Sequence, residues 1–205
     1  MNLITLELGE LATNCYILTD ENSAVVIDPA ADAALILKEL ESRRSKLESI
    51  VYTHAHCDHI GGSGELKRAT GATVYMGRNE NEVFESPVLS LFSWLETEEK
   101  PAPPDTLVSG GDEIPAGDIR LKVLDTPGHT PGGISLLAGK FLFTGDALFS
   151  GSIGRTDFPG SDHQALIESI NSHILSLEDD VRIYPGHGPS TTVGRERTSN
   201  PFLNG

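Results

Sequence analysis

The stretch THAHCDH, residues 53–59, places His54, His56, Asp58 and His59 within six consecutive positions of a chain that has seven histidines. Imidazole and carboxylate are metal-ligand groups. An isolated His-x-His is weak evidence, but His129, Asp146 and His187 also stand just beyond apolar, strand-like segments. The set is then five imidazoles and two carboxylates. A transition-metal site takes about four to six ligands, water included, so seven side chains are too many for one tetrahedral ion. In an extended segment His54 and His56 project to one side and can share an ion, while adjacent Asp58 and His59 diverge toward a second. Two ions sharing a carboxylate and a hydroxide lower the pKa of bound water and polarise an acyl oxygen. That chemistry is hydrolysis.

Strand ends lying side by side can bring such distant residues to one edge of a sheet. Alternation predicts strands over 3–8, 14–19 and 24–28, then LESIVYT, DIRLKVLD, ISLLAGKFLFTGD with a Gly-Lys turn, and DVRIYPG. Four of these lead into His54, His129, Asp146 and His187. Helices are predicted over 31–46, 62–70 and 162–177. The last has Ser161 and Gln164 at capping-box spacing and Leu166, Ile170, Ile174 and Leu177 on one face. His163 and His173 fall on that helix and read as ordinary helix residues. Residues 78–105 are too long for a plain connection. They read either as a lid or binding element or as a helical excursion packed on the core.

The 205 residues suit one domain, 1–205, of ordinary globular composition, with 38% apolar and 22% charged residues. No apolar run approaches the roughly 20 residues of a membrane span. The start, MNLITLELGELATN, lacks a basic, apolar signal pattern, so a cytoplasmic location is expected. Thirty acidic residues against 15 basic ones give a net charge of −15, which repels phosphate backbones and anionic membranes. The expected partner is a small molecule, neither nucleic acid nor membrane. Cys15 and Cys57 form no CxxC, so neither a disulfide framework nor a thiolate zinc site is indicated, and Cys57 reads as a small buried residue.

THAHCDH resembles the T-H-x-H-x-D-H motif of the metallo-β-lactamase superfamily, and TPGHTPGG, FTGDALF and YPGHG are similar, in order and spacing, to its remaining ligand motifs. The resemblance implies an α/β (α+β) fold, the four-layer αββα sandwich, with the site at one edge. It assigns His54, His56 and His129 to one metal, Asp58, His59 and His187 to the other, and Asp146 as the bridge. Asp58 and Asp146 are thereby the carboxylates at the catalytic centre.

Within the superfamily, GSIGRTDFPGSD and PGHGPSTTVGRERTSNPF resemble the short bacterial relatives of glyoxalase II, the hydroxyacylglutathione hydrolase. That likeness implies hydrolysis of a thioester such as S-lactoylglutathione by a metal-bridging hydroxide. Two departures are visible. No C-terminal helical glutathione-binding domain is expected, and the lysine and tyrosine of the long enzymes are replaced by Arg155 and Asp157. Arg155 reads either as a clamp for a substrate carboxylate or as the ion-pair partner of Asp157. Asp28 reads either as support for a metal-bound histidine or as a turn residue before Pro29.

The donor set accepts two divalent ions, zinc first, with iron or manganese as alternatives. The rival enzyme is a persulfide dioxygenase with one iron held by two histidines and an aspartate. It shares the HxHxDH stretch and a GRTDF run, but the PGHG motif and the tail fit the hydrolases better. A secreted β-lactamase would need an export signal. A metal-binding protein without turnover is the further alternative, and the intact ligand set argues against it.

Overall fold

The computed structural model of the chain describes residues 1–94 and 99–203. Two six-stranded sheets make up most of it. The first contains β1 (Asn2–Leu8), β2 (Thr13–Thr19), β3 (Ser23–Ile27), β4 (Lys46–Tyr52), β5 (Thr73–Gly77) and β6 (Thr106–Val108), in sequence order across the sheet. Its first three strands are antiparallel, and from β3 onward the pairs are parallel. The second sheet has the order β14-β13-β10-β9-β8-β7. These strands are β7 (Glu113–Ala116), β8 (Ile119–Asp125), β9 (Ile134–Ala138), β10 (Phe141–Gly145), β13 (Arg182–Pro185) and β14 (Thr191–Thr192). A short ribbon of β11 (Leu148–Phe149) and β12 (Ser152–Ile153) follows β10.

The two-residue strand period sorts apolar side chains into layers. In β2, Cys15 and Ile17 face one cluster with Ile36 and Leu40 of α1 (Ala33–Arg43) and Leu66 of α3 (Ser63–Thr70). Tyr16 and Leu18 face the opposite way, against Leu121, Leu136 and Phe143 of the second sheet. In β10, Leu142 turns outward to Leu166 of α5 (His163–Ser169) and to Ile170 and Ile174 in the π-helical turn Ile170–Ile174. Helix, sheet, sheet, helix is the predicted αββα layering.

Several boundaries differ from those predicted. The first helix ends at Arg43, because Arg44 takes a left-handed conformation (φ 56°) and caps the carbonyls of Leu40 and Glu41; Lys46 already begins β4. The 162–177 helix is capped by Asp162, whose side chain accepts from Ala165 N, and not by Ser161. Strands β5, β6 and β7 were not foreseen. The 78–105 segment contains the 3-10 turns Arg78–Glu80 and Phe92–Trp94 and helix α4 (Asn81–Glu85). Val83, Phe84, Leu89 and Phe92 pack on the first cluster, which matches the helical-excursion reading; residues 95–98 of that segment lie outside the described residues. Among the described residues no helix is long and apolar enough to cross a membrane.

Leu166 is fully buried, and its backbone and Cβ lie where a side chain on Gly128 would have to go, so α5 presses directly on the loop carrying His129. Leu166→Ala is expected to cost about 2–5 kcal/mol of stability. Urea unfolding should show this as a lower midpoint at unchanged slope.

Candidate metal centre

Four strands deliver the predicted residues to one edge of the sandwich. β4 runs into His54, β8 into the loop that carries His129, β10 into Asp146 and β13 into His187. The first comes from one sheet and the other three from its partner, so the centre lies where two sheet edges meet. β4 ends at Tyr52, one residue short of the predicted Thr53, and His54 and His56 stand beyond it, His56 in extended backbone as expected. His56 precedes α2 (Cys57–Ile60), a single turn that carries Asp58 and His59.

All seven predicted ligands converge. His54, His56 and His129 form one group, Asp58, His59 and His187 a second, and His54, His59 and Asp146 a third; within each group the ligand atoms lie within 4.8 Å of one another. Asp146 reaches both triads. Its Oδ1 is 3.4 Å from His59 Nε2, and its Oδ2 is 3.6 Å from His187 Nε2 and 3.7 Å from His129 Nε2. Asp58 Oδ2 is 3.3 Å from His187 Nε2. His163 and His173 belong to none of these groups.

Outer partners fix the imidazole tautomers. His129 donates from Nδ1 to the carbonyl of Arg155 at 2.8 Å, His187 to the carbonyl of Leu11 at 3.2 Å, and His59 to Asp28 Oδ2 at 2.9 Å. His54 Nδ1 lies 3.2 Å from Thr53 Oγ1, which itself donates to Asp28 Oδ2 at 2.6 Å. Four rings therefore turn their Nε2 atoms to the centre, and His56 offers Nδ1, 3.1 Å from both His54 Nε2 and His129 Nε2. Of the two readings of Asp28, support for ligand histidines is the one its contacts match.

Burial pushes His54 well below the ordinary imidazole range and, with help from His129 and His59, lowers His56 to about 3. Both rings are neutral donors. Burial acts to raise Asp58 and Asp146, yet His59 and the other nearby imidazoles win and hold both carboxyls below their usual range. His59 Nε2 and Asp146 Oδ1 are buried without a hydrogen-bond partner. Buried polar atoms are rarely left so; Asp58, Asp146 and Asp28 override burial and push His59 well above the ordinary imidazole range, and a divalent cation would take over the positive charge these carboxylates call for.

Several positioning residues carried no sequence signal beyond that of a strand or turn. Thr13 Oγ1 donates to Asp58 Oδ2 at 3.2 Å. Asn14 Nδ2 donates to the carbonyls of Pro185 and Gly188 on either side of His187. Ser161 Oγ donates to the carbonyl of His129 rather than capping a helix. The Phe158 ring packs edge-on against His56 and His129, with centroids 5.5 and 6.0 Å away. Arg155 lies with its guanidinium 4.4 Å from the Phe158 centroid and forks onto Asp157 through two 2.9 Å bonds. Cys57 is buried, and burial followed by the charge of Asp58 pushes its thiol up to about 11, so it matches an unreactive packing residue.

Metal-loaded protein is expected to hold two equivalents by elemental analysis. Asp146→Ala should lower occupancy of both sites, whereas His163→Ala and His173→Ala should leave metal content unchanged. A plateau at one equivalent would contradict the paired arrangement.

The metallo-β-lactamase superfamily model matches residues 8–187. Hydroxyacylglutathione hydrolase GloC of Haemophilus influenzae is 37% identical over 210 residues, covering 100% of this chain and 99% of that protein. Among solved structures, the BLEG-1 B3 metallo-β-lactamase is 38% identical with a TM-score of 0.92 and full coverage of both chains. TTHA1623, solved in a di-iron-bound form, is 35% identical with a TM-score of 0.87, covering 98% of this chain and 100% of that one. ETHE1 from Myxococcus xanthus is 32% identical with a TM-score of 0.83, covering 98% and 84%. With its ligand motifs gathered at the edge of an αββα sandwich and the family model spanning most of its length, the chain belongs to the metallo-β-lactamase superfamily.

Proposed function

We propose that the chain is a dinuclear metallohydrolase that cleaves thioesters of the S-lactoylglutathione kind. The observation that carries this reading is the pair of ligand triads joined through Asp146. The 37% identity to a hydroxyacylglutathione hydrolase supports the substrate class. His54, His56 and His129 would hold one ion and Asp58, His59 and His187 the other, with Asp146 within reach of both groups. Such divalent ions, zinc or else iron or manganese, would supply a water of lowered pKa and polarise the acyl oxygen.

The chain's own groups do the rest. Asp58 and Asp146, both ionised, orient the attacking water by accepting its hydrogens. Phe158 walls the side of the centre next to His56 and His129. The leaving group is a thiolate whose parent thiol has a pKa near 8.5 by the cysteine reference, so it departs without a proton donor. This suits a site whose histidine Nδ1 atoms are largely engaged with oxygen partners.

A persulfide dioxygenase is the second reading, favoured by the likeness to ETHE1. Its single iron would use three of the seven ligands and leave four without a purpose. Hydrolysis of S-lactoylglutathione is expected to exceed that of the matching amide, and of a β-lactam, by orders of magnitude. Oxygen uptake with glutathione persulfide and no thioester cleavage would instead establish the dioxygenase. Tight metal binding with no turnover of any of these compounds would point to a metal-binding protein.

Arg155 is the proposed contact for a substrate carboxylate. Asp157 engages its Nε and Nη2 atoms, so a carboxylate approaches from the Nη1 side. Arg155→Ala is expected to raise KM for a glutathione thioester about tenfold, the scale of one hydrogen bond to a charged group. A small neutral thioester should be affected much less, and metal content should not change. Equal losses for both substrates would make Arg155 a loop brace.

A further inference from the structure

Glu80 is fully buried at the end of the 3-10 turn that follows β5. Its two carboxylate oxygens go to two different loops. Oε1 accepts from the backbone N–H of Ala55 at 2.9 Å, and Oε2 from that of Gly132 at 2.8 Å. Ala55 sits between His54 and His56, and Gly132 lies three residues beyond His129. One side chain thus joins both loops that carry the three-histidine group. No cation pairs with it among the described residues, and burial pushes its carboxyl up against the pull of the Ala55 N–H, the Thr130 side chain and the Gly132 N–H.

The surrounding backbone is shaped for this contact. A Cβ on Gly132 would lie 2.0 Å from Glu80 N, and one on Gly77 would lie 2.2 Å from Gly132 O. Neither position has room for a side chain. A carboxylate is also the group the geometry requires, because both distal atoms must accept. An amide at the same place would turn an N–H toward an N–H.

Electrostatics gives the arrangement a second consequence. Two ligand carboxylates offset half the charge of two divalent ions, and the five imidazoles offset none. A divalent ion in the three-histidine group would favour the ionised form of this buried carboxyl, and the carboxylate would in turn add compensating negative charge beside the peptide between two ligands.

We propose that Glu80 is a positioning residue for the three-histidine half of the centre, setting the spacing of His54, His56 and His129 before an ion arrives and favouring the ion once bound. This rests on the metal centre and is independent of the substrate. Glu196 provides a control, since it is also a fully buried carboxylate but binds Gly151 N, Thr191 Oγ1 and Asn200 Nδ2 in the C-terminal part of the chain.

The test is cobalt and zinc titration of metal-free wild-type protein, Glu80→Gln and Glu196→Gln, with melting temperature recorded for each. Glu80→Gln should weaken one of the two equivalents by tenfold to a hundredfold, the usual reach of an outer partner of a ligand, and alter the cobalt absorption. The other equivalent should be retained. Glu196→Gln should lower the melting temperature without changing either affinity. Wild-type affinity and spectrum in Glu80→Gln, equal weakening of both equivalents, or a matching loss in Glu196→Gln would overturn the assignment. Hydrogen exchange on metal-free wild-type protein guards against misfolding of the variant. The Ala55 and Gly132 amides should be protected before metal is added, and rapid exchange there would exclude a preset spacing.

Discussion

Five imidazoles and two carboxylates converge on a largely buried space where His59 Nε2 and Asp146 Oδ1 are left without a hydrogen-bond partner, and the strands around them hold them there. His56 Nδ1 stands 3.1 Å from the Nε2 atoms of both His54 and His129. Those three ring nitrogens have room for fewer than three protons. Such a cluster favours any cation that can replace protons, and it favours it more strongly when the protein does not relax. Rigidity comes from the strands. Each ligand-bearing segment leaves a strand with at least one face packed in the core, so the ends of β4, β8, β10 and β13 inherit its stiffness.

Around the ligands, almost every outer contact is to an oxygen. Asp28 reaches His59 directly and His54 through Thr53, the carbonyls of Arg155 and Leu11 take His129 and His187, and Glu80 ties the two loops of the three-histidine group. Oxygen acceptors do two things at once. They select the tautomer that leaves a lone pair facing inward, and they place negative or partially negative charge behind rings that face cations. Asp28 holds φ at 52°, a left-handed conformation that a bulky side chain would resist, and both its carboxylate oxygens are engaged.

Which of these features could be seen in the sequence follows from how locally each is encoded. The ligands were legible because strand, turn and ligand occur in order along the chain: FLFTG runs into Asp146 and RIYPG into His187. The αββα layering came from the resemblance of the ligand motifs to a known family, and the structure bears it out through β2 and β10, whose side chains go alternately to two buried clusters. Thr13, Asn14 and Glu80 were not legible. Their roles depend on partners 45, 171 and 25 positions away in sequence, and nothing in TNCYILT or GRNENEV announces those partners. Ser161 was misread for the same reason, because a capping-box spacing is local evidence and its hydroxyl went instead to His129, 32 positions earlier. The strands β5 and β6 escaped because they are only five and three residues long, too short to establish a period, and pair in parallel with partners distant in sequence.

The cradle and the mouth are built from different parts of the chain, and this is why likeness of fold does not by itself decide the substrate. The ligands and their oxygen partners sit on strand ends and tight turns. The groups beside the opening, Phe158, Asp157 and the side chain of Arg155, come from the loop that follows β12. Relatives of 32–38% identity whose names include a hydroxyacylglutathione hydrolase and a B3 metallo-β-lactamase share the sandwich with this chain. Arg155 shows how the two parts meet. Its carbonyl belongs to the cradle, holding His129, while its guanidinium points outward in an ion pair that is two-thirds exposed. Substituting that side chain would remove the ion pair with Asp157 without removing the carbonyl, so the groups beside the centre can vary while the contact that holds His129 stays fixed.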